Sequence, residues 1–143
     1  MPENFIANAE KIINAPASKV WQALTDPAVV CQWLFGTEMT ADWKVGGEIR
    51  YRGQWEGKAY EDKGTILELE PEQKIVSTYW SGFSGLPDIP ENYQKVIYEL
   101  IPEGDQTKLM ITQEGNKTED SAKHSETNWN MVLDSMKKLV EAN

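Results

Sequence analysis

The chain has 143 residues, with 23 acidic and 14 basic side chains, one cysteine and a net charge of −9. This is the length of one ordinary domain, so we expect residues 1–143 to fold as a single unit that needs no disulfide or metal to bury a core. The negative charge disfavours nucleic acid and anionic membranes as partners, because their phosphates would be repelled. The N-terminus lacks the apolar run of a signal peptide, so we expect a cytoplasmic location.

The first third of the chain predicts a strand followed by two short helices. Residues 4–14 place apolar side chains among polar ones without helical spacing, which favours a strand. Residues 17–35 have helical spacing, but Pro27 interrupts it because proline cannot continue the hydrogen-bond ladder. We therefore expect a helix, a kink and a second short helix that ends at Gly36.

The middle of the chain, residues 38–113, has the alternation and the turn signals of antiparallel strands. Gly46-Gly47 predicts a turn or a bulge, and Glu56-Gly57 predicts a tight hairpin turn. A proline-containing turn, "EPEQK", and a last hairpin around "EGDQ" complete the set. We expect five or six strands in this region.

The tail, residues 118–142, predicts one long amphipathic helix. Its apolar side chains recur every three or four residues, and Thr118 followed by two acidic residues suits the helix N-terminus. Strands followed by one helix of this length predict an α+β domain in which the helix lies on a face of an antiparallel sheet. We expect Trp129 and Met136 to face that sheet.

Four segments together resemble one protein family: "INAPASKVWQALTDPAVVCQWL", "WKVGGEIRY", "GTILELEPEQKIVSTYW" and the final helix with Trp129. The sequence is similar to the C-terminal domain of the activators of the heat-shock protein 90 ATPase and to its stand-alone bacterial relatives, within the START-like or SRPBCC superfamily. The resemblance implies a helix-grip fold, in which a curved antiparallel sheet wraps around the long C-terminal helix with a cavity between them. It also implies binding of hydrophobic small molecules, and a chaperone as a protein partner of the activators.

Residue types that carry catalysis or bind metals are scarce. His124 is the single histidine, and we interpret it as an exposed residue of the final helix. Cys31 has no basic neighbour in sequence and is interpreted as a buried apolar thiol, with a catalytic Cys31–His124 pair as the alternative. We therefore predict no catalytic residue, no metal, no cofactor and no enzymatic activity.

The hairpin around Glu56-Gly57 predicts which side of the sheet faces the interior. If these two residues form the turn, Arg52 is directly opposite Glu61, and directly opposed residues share a face. We expect this charged face, which also carries Arg50, to contact water, since burying unpaired arginines is costly.

The other face of this hairpin is then the interior one, with the side chains of Ile49, Tyr51, Trp55 and Tyr60. A one-residue bulge at the double glycine or at Gly53 would reverse the pattern and turn an arginine inward towards a ligand carboxylate.

The segment 81–92, "SGFSGLPDIPEN", joins two strands by a long detour and predicts a lid over a cavity. We expect Phe83, Leu86 and Ile89 to close a pocket for a hydrophobic or planar aromatic molecule, and the net charge favours a neutral one. The predicted ligand-binding residues are Trp33, Tyr51, Trp55, Tyr79, Phe83, Leu86, Tyr98, Asn128, Met131 and Val132.

Three functions follow from these observations. The first is a small-molecule-binding protein of the START-like type. The second is a protein-interaction module that acts on a chaperone ATPase through its surface. The third is a cyclase-type enzyme, which would need a polar acid or base in the pocket.

Overall fold

The computed structural model describes residues 5–34, 36–55, 57–81, 87–116 and 118–142, without the side chains of Trp55 and Pro90. The elements in chain order are β1 (Phe5–Ile13), α1 (Ala17–Thr25), α2 (Pro27–Trp33), β2 (Glu38–Ala41), β3 (Glu48–Trp55), β4 (Lys58–Glu70), β5 (Lys74–Ser81), β6 (Gln94–Glu103), β7 (Gln106–Asn116) and α3 (Glu119–Ala142). A short 3-10 helix, Pro90–Asn92, precedes β6.

The strands form one seven-stranded sheet in the order β1-β7-β6-β5-β4-β3-β2. Every neighbouring pair is antiparallel. The sheet is curved, and the helices lie against its concave side. This is the predicted α+β helix-grip architecture, with two short helices after the first strand, and the higher of the two predicted strand numbers is correct.

The boundary between α1 and α2 lies at Asp26 and Pro27, as the sequence predicted. The backbone N–H of Asp26 donates the last hydrogen bond of α1, to the carbonyl oxygen of Gln22. The side chain of Asp26 accepts a hydrogen bond from the backbone N–H of Ala28 at 3.0 Å, at the start of α2. Pro27 occupies the first turn of α2, where a missing N–H has no cost. One residue therefore closes the first helix and caps the second.

The long helix α3 packs mainly on β1 and also on β7. The Thr118 hydroxyl accepts a hydrogen bond from the backbone N–H of Ser121 at 3.0 Å, which is the predicted N-terminal cap. Further along, Leu133 and Met136 are completely buried against the sheet. The predicted boundary at the start of α3 differs from the observed one by a single residue.

Side chains of α3 also cover the exposed edge of the sheet. Glu126 and Glu141 accept hydrogen bonds from the backbone N–H groups of Asn8 and Asn14, at 2.9 and 2.8 Å. An uncovered strand edge is a template for pairing with other chains, so these carboxylates protect β1. The opposite edge is β2, which has only four residues.

The double glycine forms the turn before β3. Gly46 has φ of +87°, a conformation that side chains with a Cβ rarely adopt. At Gly47 an added Cβ would lie 2.0 Å from the carbonyl oxygen of Asp42, so no larger residue fits. The turn leaves the register of β3 undisturbed: Trp55 pairs with Lys58 and Arg52 with Glu61, as predicted. The turn residue Glu56 lies outside the described residues.

Candidate functional site

The concave face of the sheet has an apolar end and a polar end. At the apolar end, a cavity of about 10 Å³ lies between the sheet and the helices α1 and α2. Its lining residues are Leu24, Val30, Trp33, Trp43, Ile49, Tyr51, Ile75 and Tyr98. This volume holds roughly one water molecule, so the apolar end is packed rather than open.

Two tryptophans of this lining are fixed by α1. The indole N–H of Trp33 donates to the carbonyl oxygen of Ala23 at 2.7 Å, and that of Trp43 donates to the carbonyl oxygen of Thr25 at 3.1 Å. Both bonds satisfy polar atoms that would otherwise be costly to bury. The rings therefore close the apolar end with a defined orientation.

Polar side chains cross the concave face near the other end of the strands. We call Tyr51, Asp62, Tyr79, Gln94 and Gln113 the polar belt; they come from β3, β4, β5, β6 and β7 in that order. The register places Tyr51 directly opposite Asp62, and Tyr79 directly opposite Gln94. Because opposed residues share a face, these side chains lie on the same side as the cavity.

The β3–β5 half of the belt joins phenols to a carboxylate. The Tyr79 hydroxyl donates to Asp62 at 2.9 Å. The hydroxyls of Tyr51 and Tyr98 interact with each other. These contacts place four hydrogen-bonding side chains next to one another in the interior.

Burial perturbs all three phenols. Burial raises the pKa of Tyr51 to about 12. Burial also raises the pKa values of Tyr79 and Tyr98 above their ordinary value. For Tyr79, the negative charge of Asp62 raises the pKa further. The phenols are therefore neutral at physiological pH and can act as hydrogen-bond donors.

The β6–β7 half of the belt connects to α3. The indole N–H of Trp129 donates to the amide oxygen of Gln113 at 2.7 Å, and the amide nitrogen of Gln113 donates in turn to Gln94. The Trp129 ring also meets Tyr98 edge-on, with ring centres 5.9 Å apart. Trp129 therefore faces the sheet, as predicted, and links the two halves of the belt.

Asn116 continues this network at the end of β7. It is completely buried, donates to the carbonyl oxygens of Phe5 and Gln113 at 3.0 Å, and accepts from the hydroxyl of Ser125 on α3 at 3.3 Å. Within the described residues, no buried side-chain nitrogen or oxygen lacks a hydrogen-bond partner. In the first half of α3, Ser125 and Trp129 are thus attached to β7 by hydrogen bonds.

The ten predicted ligand-binding residues do not all lie together. Trp33, Tyr51 and Tyr98 line the cavity, and Tyr79 belongs to the polar belt. On α3, Val132 is buried, whereas Asn128 and Met131 are exposed. Phe83 and Leu86 lie outside the described residues, as does the side chain of Trp55.

The described end of the loop 81–92 contacts the outer face of the sheet. Asp88 pairs with Lys63 at 2.5 Å and accepts a hydrogen bond from the Tyr93 hydroxyl at 2.5 Å. Lys63 pairs directly with Trp80 across the strands, on the face opposite Asp62. Ile89, expected to point into the cavity mouth, is instead exposed. The ion pair explains this difference, because it directs this part of the loop outward.

The two arginines also lie on the outer face. Arg50 donates to Glu61 at 2.9 Å, and Arg52 donates to the other carboxylate oxygen of Glu61 at 2.5 Å. The bond from Arg52 is the main cause that lowers the pKa of Glu61. The predicted outward orientation is confirmed, so the alternative with an inward arginine is wrong. An open concavity of about 750 Å³ beside these residues includes Arg52 and Glu61.

The remaining candidates, Cys31 and His124, lie on different helices, α2 and α3. His124 is exposed on α3, as predicted, and Cys31 is half-buried with its thiol 3.3 Å from the carbonyl oxygen of Ala28. In the described part of the chain, no three His, Cys, Asp or Glu side chains are grouped to hold a metal. None of the described helices is long and apolar enough to cross a membrane.

The sequence patterns did not predict Asp62, Gln94 and Gln113 as site residues. The hairpin register already placed Asp62 opposite Tyr51, so an acidic residue at an inward position was the available signal. The two glutamines interrupt the inward apolar pattern of β6 and β7 in the same way. A polar residue at a position where the alternation demands an apolar one marks the belt.

The chain matches the sequence model of one protein family. The model of the family described as "Activator of Hsp90 ATPase homolog 1-like protein" matches residues 14–141. A search of curated proteins found no match to this chain.

Three solved structures illustrate the likeness. Protein ChR145 from Cytophaga hutchinsonii is 43% identical, with 96% of this chain and 94% of that chain covered and a TM-score of 0.83. Protein Mll3558 from Rhizobium loti is 25% identical, with 95% and 96% covered and a TM-score of 0.78. DynU16, from the dynemicin biosynthetic locus, is 18% identical, with 95% of this chain and 47% of that chain covered and a TM-score of 0.79, and shows a shared fold.

Proposed function

Because the chain belongs to the family of activator of Hsp90 ATPase homolog 1-like proteins, we propose that it binds a small hydrophobic or planar aromatic molecule between the sheet and α3. The polar belt is the observation that supports this proposal. A core that serves packing alone avoids polar groups, since each must be paired when it is buried. Ligand sites instead combine aromatic walls with a few hydrogen-bonding groups, and Tyr98 and Trp129 provide such walls beside the belt.

Binding requires the interior to open. The enclosed cavity has about 10 Å³, whereas sites for drug-sized ligands have roughly 300–1,000 Å³. We propose that the ligand inserts between Tyr98 and Trp129, where α3 meets the middle strands. Trp129 and Tyr98 are both half-buried, so part of each residue is exposed to solvent.

The proposed ligand contacts are those expected from the sequence, with Trp129 and the polar belt added. The exposed residues Asn128 and Met131 are next to Trp129 on α3 and would contact a ligand that enters there. The net charge of −9 favours neutral ligands over anions. We also propose a cytoplasmic location, as expected from the sequence.

The test is a titration of the isotope-labelled protein with flat aromatic compounds, recording amide shifts. We expect saturable shifts concentrated around Tyr98 and at residues 128–135. Tyr98→Leu should weaken binding, whereas Tyr93→Leu, a matched change on the outer face, should not. Absence of saturable shifts with every compound would contradict the proposal.

A protein-interaction function is the second candidate, favoured by the packed apolar end of the concave face. In this case the chain acts on a chaperone ATPase of the Hsp90 type through its surface, as the family name suggests. Adding the protein to such an ATPase should then raise the rate of ATP hydrolysis. Tyr98→Leu should leave that stimulation intact, which distinguishes this function from ligand binding.

A cyclase-type enzyme is the third candidate. The fold shared with DynU16, from a biosynthetic locus, and the carboxylate of Asp62 beside Tyr79 support it, because a carboxylate can act as a general base. We favour a protein without enzymatic activity, since the single histidine, His124, is exposed on α3.

A further inference from the structure

Asp62 places a carboxylate next to the buried phenols of the concave face. It lies opposite Tyr51 and accepts the Tyr79 hydroxyl at 2.9 Å. In the proposed function, the aromatic rings around Asp62 contact a ligand. That function does not explain why a charged carboxylate is placed at this position. The chemistry of this carboxylate therefore specifies which ligands the site accepts.

We propose that Asp62 is the specificity-determining residue of the site, that it accepts a hydrogen bond from a hydroxyl group of a flat aromatic ligand, and that it excludes ligands with a carboxylate. This inference rests on the proposed function and defines its ligand class as phenols. A neutral phenol combines the planar ring that Tyr98 and Trp129 can stack against with the hydroxyl donor that a carboxylate requires.

The charges around Asp62 support this choice. On the outer face, Arg50 and Arg52 bind Glu61 and Lys63 binds Asp88, whereas Lys58, opposite Trp55, shares the concave face with Asp62. A ligand carboxylate beside Asp62 would therefore meet its charge without help from Arg50, Arg52 or Lys63. Like charges in contact disfavour the wrong ligand strongly.

The hydrogen-bonding capacity of Asp62 also fits a second donor. An ionised carboxylate has two oxygens with about four acceptor positions in all. A ligand hydroxyl can therefore join the Tyr79 hydroxyl or replace one of the present partners. A methyl ether cannot do so, because it keeps the ring and the oxygen but lacks the proton.

The experiment compares three probes that share one ring system: naphthol, its methyl ether methoxynaphthalene, and naphthoate. Each is titrated into the isotope-labelled full chain while amide shifts are recorded. We expect naphthol to bind about tenfold more tightly than the ether, because the ether has no hydroxyl proton to donate to the carboxylate. Naphthoate should bind most weakly.

Asp62→Asn tests the residue itself. This variant keeps the size of the side chain and removes its charge. The affinity of naphthol should therefore fall close to that of its methyl ether, and the affinity of naphthoate should rise. Asp105→Asn, at the exposed turn between β6 and β7, is the matched control and should bind like the wild type. The native amide spectrum of each variant verifies folding.

The outcomes separate the two proposals. Equal affinity of the wild type for naphthol and its ether would overturn the role of Asp62 and leave the ligand-binding function standing. An unchanged preference in Asp62→Asn would also overturn it. Absence of saturable shifts with all three probes would overturn both proposals. If Asp62→Asn does not fold, the comparison of probes on the wild type still decides the inference.

Discussion

The ring of Tyr60 lies across the backbone of Gly53 on the neighbouring strand. A Cβ added at Gly53 would lie 2.7 Å from the Tyr60 hydroxyl oxygen and 2.9 Å from the ring carbon that bears it. The same hydroxyl is hydrogen-bonded to Thr37, which is buried just before β2. Because Gly53 has no side chain, Tyr60 of β4 can cross β3 and form a hydrogen bond with Thr37, just before the edge strand β2.

Gly53→Ala should destabilise the protein by about 1–2 kcal/mol, as is usual for an added methyl group in a filled site. The methyl group displaces Tyr60 and breaks its bond to Thr37. Urea unfolding measures the change. In a Tyr60→Ala background the same substitution should have no further cost, because the obstructing ring is gone. An equal cost in both backgrounds would show that Tyr60 is not the obstacle.

Trp129→Ala should lower the free energy of unfolding by about 3 kcal/mol. This is the lower end of the usual loss for replacing a large aromatic residue by alanine, because Trp129 is only half-buried. The change removes the contact with Tyr98 and leaves the Gln113 amide oxygen without the indole donor. Trp129→Phe keeps an aromatic ring and should cost about 1 kcal/mol, the usual value of one hydrogen bond. Denaturant titration of both variants gives the comparison. A loss below 1 kcal/mol for Trp129→Ala would exclude packing against the sheet.

Tyr51→Ala should lower the free energy of unfolding by about 3 kcal/mol. The change removes a ring that lines the cavity and that interacts with Tyr98. Arg52→Ala, one residue further along β3, should change the urea midpoint far less, because its ion pair with Glu61 is exposed. Easy unfolding of the Arg52 variant would contradict the assignment of the two faces.

Stability should fall in alkaline solution between pH about 10 and 12. The pKa of Tyr51 rises from its ordinary value of 10.0 to about 12 on folding. The unfolded chain therefore loses this proton first, and the stabilisation is complete below pH 10 and is lost as the pH rises towards 12. The pKa of Tyr79 is raised as well, mainly by burial, and adds to the effect.

Urea unfolding across this pH range, followed by phenolate absorbance, measures the alkaline effect. Tyr51→Phe should reduce the steepness of the decline, because one titrating group is removed. A decline of unchanged steepness in this variant would show that the Tyr51 hydroxyl is as accessible in the folded protein as in the unfolded one.

Several elements could be predicted because their causes are local. Pro27 ends one helix through its own ring, and Thr118 caps α3 through a bond to a residue three positions away. The register of β3 and β4 follows from a two-residue turn and strict alternation, which also fixed the outward orientation of Arg52. These are relationships within a few residues, or across one short hairpin.

The site depended on relationships that no short segment contains. The contact of Trp129 with Tyr98 joins α3 to β6, a strand that is not its neighbour in the chain. The 10 Å³ cavity is the volume left over by side chains of two helices and several strands, so it cannot be deduced from any one of them. The direction of the loop near Asp88 is likewise decided by Lys63, which lies on a separate strand.

The sequence by itself therefore determined the order of the elements, the inward and outward faces of the strands, and the family. Tertiary structure decided that the apolar end is filled, that polar side chains from five strands meet at the other end, and that α3 covers the edge of β1. The physical reason is that alternation and capping act between chain neighbours, whereas packing volume and the polar belt depend on side chains that only folding brings together.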